Sequence, residues 1–295
     1  MEEEEEEAVN FGKSIIVPIV QELTKQYLTQ IPPHYLRLEQ EGTSLLSHDS
    51  LVPVIDIHKL ARGHGDSVDS ELEKLHSACR DWGFFMIVNH GISISLLEEF
   101  RTQVRSFFRI PYEEKKKLWQ QPDNHEWFGQ LFVVSEEQKL DRSDMFYNIT
   151  LPPRLRQLDL FAKLPPKSRE TLETYILELK KLAMTILDVM AKALKMDAEE
   201  MRKLFADGVQ SVRMNYYPPC PEPDKFIEFS PHSDADAVTI LLQLDETEGL
   251  QIRKEGKWIP VKPLPNAFVA NVGDIMEVIT SLFALNLKVL LMDLN

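Results

Sequence analysis

His232-Ser233-Asp234 is the sharpest chemical feature of the chain. Residues two apart on a strand project to the same face, so an imidazole and a carboxylate here can occupy adjacent corners of one metal site. A second histidine from a neighbouring strand would complete the two-histidine, one-carboxylate face that leaves iron(II) three open positions. The spacing alone discriminates poorly. With eight histidines and 47 acidic residues in 295 positions, about one His-x-acid match arises by chance, and His64-Gly65-Asp66 is a decoy in a polar loop. His232 differs because, on an unbroken strand, its face continues through Asp236, Val238, Ile240 and Leu242. That would set the pair toward an apolar interior. A surface histidine hydrogen-bonded to a neighbouring carboxylate fits the same three residues, and both readings stand at this point.

Arg213-Met214-Asn215-Tyr216-Tyr217-Pro218-Pro219-Cys220 is the second such segment. On a strand, Arg213, Asn215 and Tyr217 share a face and offer a cation, an amide and a phenol, groups suited to a small dicarboxylate or an acidic substrate. Plain aromatic packing is the alternative. The two prolines stop the strand, and Cys220 beyond them reads as a buried apolar thiol.

The elements that must carry these residues are legible from periodicity. Val52 to Ile57 reads as a short strand, Glu71 to Trp82 as a helix ended by Gly83, and Phe84 to Val88 as a second strand. Ser95 with Glu98 forms a capping-box pattern opening a helix toward Phe108, which Pro111 stops. From Ser168 to about Met196 the apolar positions recur at three and four, giving one long amphipathic helix. A shorter helix from Asp197 to Ala206 follows, with Gly208 beyond it. The period then changes from 3.6 to 2. Val212 to Tyr217, Val238 to Leu244, a hairpin from Leu250 to Val261 turning at Lys254-Glu255-Gly256-Lys257, and Phe268 to Val272 are expected strands, a succession suggesting a jelly roll or barrel.

Composition sets the outer limits. The chain is 43% hydrophobic and 27% charged, enough to bury a core, and its net charge of -14 repels phosphate backbones. Nucleic acid is therefore not an expected partner. The one basic run, Lys115 to Lys117, lies beside Glu113 and Glu114 and reads as a solvated helix face. Two cysteines, Cys79 and Cys220, make no disulfide framework, and the glutamates from Glu2 to Glu7 are the opposite of a signal-peptide start, so the cytoplasm is the expected location. The apolar stretch Val278 to Met292 is interrupted by Asn286 and Lys288 and is too short for a membrane anchor.

Asn215-Tyr216-Tyr217-Pro218-Pro219-Cys220, Pro231-His232-Ser233-Asp234, Val238-Thr239-Ile240-Leu241-Leu242-Gln243, Gly249-Leu250-Gln251-Ile252 and Asn271-Val272-Gly273-Asp274 together resemble the plant 2-oxoglutarate/iron(II) dioxygenases. Within that family the likeness is to the codeine-demethylase-like and norcoclaurine-synthase-like branch. The N-terminal half agrees in Val52-Pro53-Val54-Ile55-Asp56, Trp82-Gly83-Phe84-Phe85, Val88-Asn89-His90-Gly91 and Asp144-Met145-Phe146-Tyr147. The resemblance runs from about Ser50 to Met276.

It implies an α+β chain whose core is a double-stranded β-helix, or jelly roll, preceded by a mixed α/β domain. The corresponding division is an acidic tip and extension (1–50), a non-catalytic dioxygenase domain (51–165), linking helices (166–208), a partial oxygenase jelly roll (209–276) and a divergent apolar tail (277–295). It further implies iron(II) on His232 and Asp234, 2-oxoglutarate against Asn215 and Tyr217, and ascorbate as an accessory. Arg213, Met145 and Tyr147 fall near the substrate pocket, and His90 is structural. The expected activity is hydroxylation, demethylation or desaturation of a small specialised metabolite, with no nucleic-acid or membrane partner and no oligomeric state indicated.

The pattern breaks after Asp274. The family there has a second metal-binding histidine, then an arginine and a serine that clamp 2-oxoglutarate, whereas His232 is the last histidine in this chain and Arg253 the last arginine. The last core strands are thus expected to be missing or replaced, as in a truncated, alternatively spliced or intron-extended product. A catalytically silent chain that acts only by binding is the competing expectation.

Overall fold

The computed structural model describes residues 14–25, 33–35, 51–121, 124, 126–130, 133–219, 230–282 and 291–293. The acidic tip, Cys220 and residues 283–290 lie outside them.

Among the described residues are helices α1 (Val20–Leu23), α2 (Ile57–Arg62), α3 (Asp66–Asp81), α4 (Ile94–Arg109), α5 (Tyr112–Lys115), α6 (Leu158–Lys163), α7 (Pro166–Ala193), α8 (Ala198–Phe205) and α9 (Asp274–Leu282), together with ten strands. The strands are β1 (Val54–Asp56), β2 (Phe84–Val88), β3 (Trp127–Gly129), β4 (Asp144–Leu151), β5 (Gln210–Tyr216), β6 (Val238–Leu241), β7 (Leu250–Lys254), β8 (Lys257–Pro260), β9 (Phe268–Val272) and β10 (Leu291–Asp293). They form three sheets, ordered β1-β2-β9-β6, β10-β7-β8 and β3-β4-β5. All pairings are antiparallel except β1 with β2.

Alternation explains how the four-stranded sheet is buried on both sides. Phe85, Ile87, Phe268, Ala270 and Val272 pack toward the helices in the main core. Phe84, Met86 and Val269 face the other way, onto Leu250, Ile252, Ile259 and Val261 of the β7–β8 hairpin. Two sheets therefore sandwich an apolar layer while α3, α4 and α7 cover the outside, and each fully buried Phe or Ile stabilises this arrangement by roughly 1.5–3 kcal/mol. The hairpin turns where its sequence demands, with Glu255 and Gly256 both at positive φ, the geometry of a two-residue primed turn.

Several expectations need correction. The N-cap of α4 is Ser93, whose hydroxyl accepts from Leu96 N, rather than Ser95, because the helix begins two residues earlier than the capping-box pattern suggests. Lys116 and Lys117 do pair with Glu113 and Glu114 on a solvated face, but Lys115 is 1% exposed. Its ammonium donates to Gln21 Oε1 and to the Phe108 carbonyl and lies over the Phe128 ring, which offsets the cost of burying the charge. After β9 the chain turns at once into α9, where the family pattern has further strand, and β10 returns to pair with β7.

Gln21 belongs to a segment that local patterns do not reveal. Residues around α1 lie across the β3-β4-β5 sheet, and the fully buried Asp144 carboxylate accepts from Val20 N and Gln21 N, each at 2.7 Å. Burial pushes Asp144 up to about 6 despite those two bonds and the nearby Lys115. Asp144→Ala should cost about 2–4 kcal/mol, since it orphans two backbone donors, and should hasten proteolytic cleavage near α1. The sign of its pH dependence follows from linkage. A folded value raised above the unfolded one means that the folded chain binds the proton more tightly, so wild-type stability gains as pH falls from about 6 toward 4. Asp144→Ala lacks that gain, and its deficit in a thermal melt should widen over the same interval.

Candidate metal centre and substrate face

His232 and Asp234 are brought together, but not by the strand expected. The chain bends at residues 235–237 and β6 starts only at Val238. The continuous face from His232 to Leu242 therefore does not exist. Val238, Ile240 and Leu242 pack toward the helical core, whereas Asp234 meets the opposite face of β6 through Thr239. That face, shared with Leu241 and with Val269 and Asn271 of β9, looks into the space between the two sheets. The pair thus lies at the end of the sandwich interior by a different route.

Each of the two side chains is oriented from outside. His232 Nδ1 lies 2.8 Å from the Ser230 carbonyl, which can only accept, so Nδ1 carries a proton and Nε2 is the ring nitrogen turned toward Asp234. Ser230 is held in turn by Asp141, whose Oδ1 accepts from its amide at 3.0 Å and its hydroxyl at 2.5 Å. Asp234 Oδ2 accepts from Thr239 Oγ1 at 2.5 Å and from Asn271 Nδ2 at 2.9 Å, leaving Oδ1 at 3.4 Å from His232 Nε2. Burial pushes the Asp234 carboxyl up, but the His232 ring beside it and the hydrogen bonds from Thr239 and Asn271 outweigh it and hold the group at about 2. It is ionised at neutral pH, as a metal ligand must be.

The β9–α9 turn pins this loop. Asp274 N donates to the Asp234 carbonyl at 2.8 Å, Gly273 N to Ala237 O at 3.0 Å, and Ser233 Oγ to Asp274 Oδ2 at 3.1 Å. Gly273 comes so close that no side chain fits between turn and loop.

Arg213, Asn215, Met145 and Tyr147 meet on the β3-β4-β5 sheet. Met145 stands opposite Asn215 and Tyr147 opposite Arg213, so all four project from one face, as cross-strand partners do. Arg213 Nε donates to Asn215 Oδ1 at 2.9 Å. Burial pushes the Tyr147 phenol up, Ser211 hydrogen-bonds it, and Asp236, two residues beyond Asp234, acts on it electrostatically. Tyr217, half-buried, follows directly on β5. Asp141 and Arg142, just before β4, tie the two regions together: one holds Ser230, the other donates to the carbonyls of Pro218 and Pro219.

The decoy His64 and Asp66 are exposed at the start of α3. His90 uses both ring nitrogens, with Nε2 donating to Asn266 O at 2.8 Å and Nδ1 accepting from Ile92 N at 3.1 Å, so it is structural. Sequence reasoning passed over Thr239, Asn271, Gly273 and Asp141. The available signal was Asn271, a lone amide inside the apolar strand Phe268–Val272.

The donor chemistry fits two adjacent positions of a divalent metal: an imidazole Nε2 beside an ionised carboxylate, both side chains with outside hydrogen bonds. Among the described residues no group of three or more His, Cys, Asp or Glu side chains is arranged to hold a metal. Nor is any described helix long and apolar enough to cross a membrane.

Comparison with known proteins agrees with the geometry. Residues 52–167 match the profile of the non-haem dioxygenase in morphine synthesis N-terminal family, and residues 208–287 that of the 2OG-Fe(II) oxygenase superfamily. Protein SRG1 of Arabidopsis thaliana is 50% identical over 91% of this chain and 76% of its own length. Oxoglutarate-dependent flavonoid 7-O-demethylase 1 of Ocimum basilicum is 47% identical over 93% of this chain and 73% of its own. The crystal structure of JOX2 in complex with 2OG, Fe and JA superposes with a TM-score of 0.82 at 31% identity, covering 94% of this chain and 78% of that one. The double-stranded β-helix core and the branch expected from the motifs are thus established, and the chain belongs to the plant 2-oxoglutarate- and iron(II)-dependent dioxygenases, enzymes that oxidise small molecules.

Proposed function

We propose that the chain hydroxylates, demethylates or desaturates a small specialised metabolite, with iron(II) on His232 and Asp234, 2-oxoglutarate against Asn215 and Tyr217, and the substrate over Met145, Tyr147 and Arg213. The observation that carries this is the 3.4 Å approach of His232 Nε2 to Asp234 Oδ1, each side chain being held by bonds that leave those two atoms facing one another. Support for the substrate class comes from relatives named as demethylases of flavonoids, thebaine and codeine.

Iron(II) and 2-oxoglutarate, when bound, would supply the electrons that activate oxygen, the oxidant of the reaction. The chain's own residues do the rest. Ser230 fixes the imidazole tautomer, Thr239 and Asn271 keep the carboxylate turned, and Arg213 and Tyr147 offer a cation and a phenol to an acidic or phenolic substrate. Ascorbate as an accessory reductant and a cytosolic location, in keeping with only two cysteines, belong to the same proposal.

A second reading has an observation of its own. Between β9 and Asn295 there is no histidine and no arginine, so that stretch carries neither the second metal-binding histidine nor the arginine of the family pattern. A chain with two ligands binds iron weakly, and a catalytically silent protein that only binds a small molecule fits it too. Measuring succinate produced from 2-oxoglutarate with iron(II) and candidate phenolic or alkaloid methyl ethers separates the two. Turnover that requires iron and vanishes in His232→Ala supports oxidation, whereas a folded chain that consumes no 2-oxoglutarate is a binding protein.

A further inference from the structure

We infer that Thr239 and Asn271 are positioning residues for the metal, acting across two strands to occupy Asp234 Oδ2 and so commit its Oδ1 to a single bond beside His232. The inference rests on the metal role proposed for His232 and Asp234. Thr239 and Asn271 are direct partners in the β6–β9 register, side by side on the face that looks between the sheets. Both donate to the same oxygen, at 2.5 and 2.9 Å, and neither donates to the other oxygen.

A carboxylate has about four acceptor positions, and two donors on one oxygen use the lone pairs that a bidentate metal bond would need. The terminal carboxylate torsion is broad and nearly two-fold, so an unclamped Asp234 would swing Oδ1 away from Nε2 at little cost. Asn271 is 2% exposed, so its amide has no water to turn to. Packing gives no reason for its presence, since its strand neighbours Val269, Ala270 and Val272 are all buried and apolar. With only two protein ligands identified, the direction of each counts for more than in a complete triad.

The test is an anaerobic titration of the full chain with cobalt(II), whose visible absorption reports coordination geometry as well as affinity. Thr239→Val removes the hydroxyl at nearly constant shape, Thr239→Ser retains it, and Asn271→Ala removes the amide. Wild type and Thr239→Ser should give the same spectrum and dissociation constant. Thr239→Val and Asn271→Ala should bind roughly 10–100-fold more weakly with a changed band, the usual effect of losing an outer partner. The metal-free melting temperature of Thr239→Val should stay close to that of wild type, and if Asn271→Ala does not fold, Thr239→Val decides. A Thr239→Val protein with the wild-type constant and spectrum overturns the inference and leaves the metal reading intact. So does a Thr239→Ser protein as weak as Thr239→Val. A wild-type chain that takes up no cobalt(II), or one matched by His232→Ala, overturns both.

Discussion

His232→Ala should lower the affinity for iron(II) or cobalt(II) by a factor on the order of 100 or more while barely changing the melting temperature. The two effects separate because the His232 side chain is 29% exposed and its Nδ1 bond to Ser230 O is local, so the fold loses little with it. The metal loses its only nitrogen donor among the ligands identified and is left with one carboxylate oxygen, which competes poorly with water. Calorimetric titration under nitrogen, paired with a thermal melt, reads both quantities. A variant that binds metal as wild type does would place the centre elsewhere.

Gly273→Ala is expected to damage both stability and metal binding, although residue 273 offers no ligand. A Cβ there would lie 1.9 Å from the Asp236 carbonyl oxygen and 2.9 Å from that of Asp234, both backbone atoms that no rotamer change can move aside. The turn cannot retreat without breaking the bonds from Gly273 N to Ala237 O and from Asp274 N to Asp234 O. Relief must come from the loop that holds the ligands. Overpacking of this kind costs about 1–3 kcal/mol, and the rigidity of both partners places it at the upper end. At roughly 2–4 °C per kcal/mol, the melting temperature should fall by about 6–12 °C. Gly91→Ala is the control: its Cβ meets nothing within 4 Å, so only the strain of its positive φ remains.

What the sequence disclosed depended on how far apart the cooperating residues lie. The long helix α7, the turn at Glu255-Gly256 and strand β9 are local events, and periodicity or a turn dipeptide locates them within a few residues. The Asp144 carboxylate that ties down α1 acts on residues 123 and 124 positions away, and no local pattern signals it. Lys115 was misread for the same reason, since Gln21, which helps satisfy its ammonium, is 94 positions distant. His232 and Asp234 do come together, but the strand argument that linked them to the following residues was mistaken. An unbroken alternation would have put Val238 and Ile240 on the ligand face; the bend at 235–237 puts Thr239 there instead. The polar pair Thr239 and Asn271 is visible only once the register of β6 on β9 is known.

The most direct test of the account is an anaerobic titration of the purified chain with iron(II) and 2-oxoglutarate, followed by the visible charge-transfer band that arises when both bind one centre. The band should appear at high iron concentration, as a site with two protein ligands requires, and be absent in His232→Ala. A folded wild-type sample that never develops the band, or a His232→Ala sample that develops it equally, would contradict the assignment of His232 and Asp234 as a working iron site.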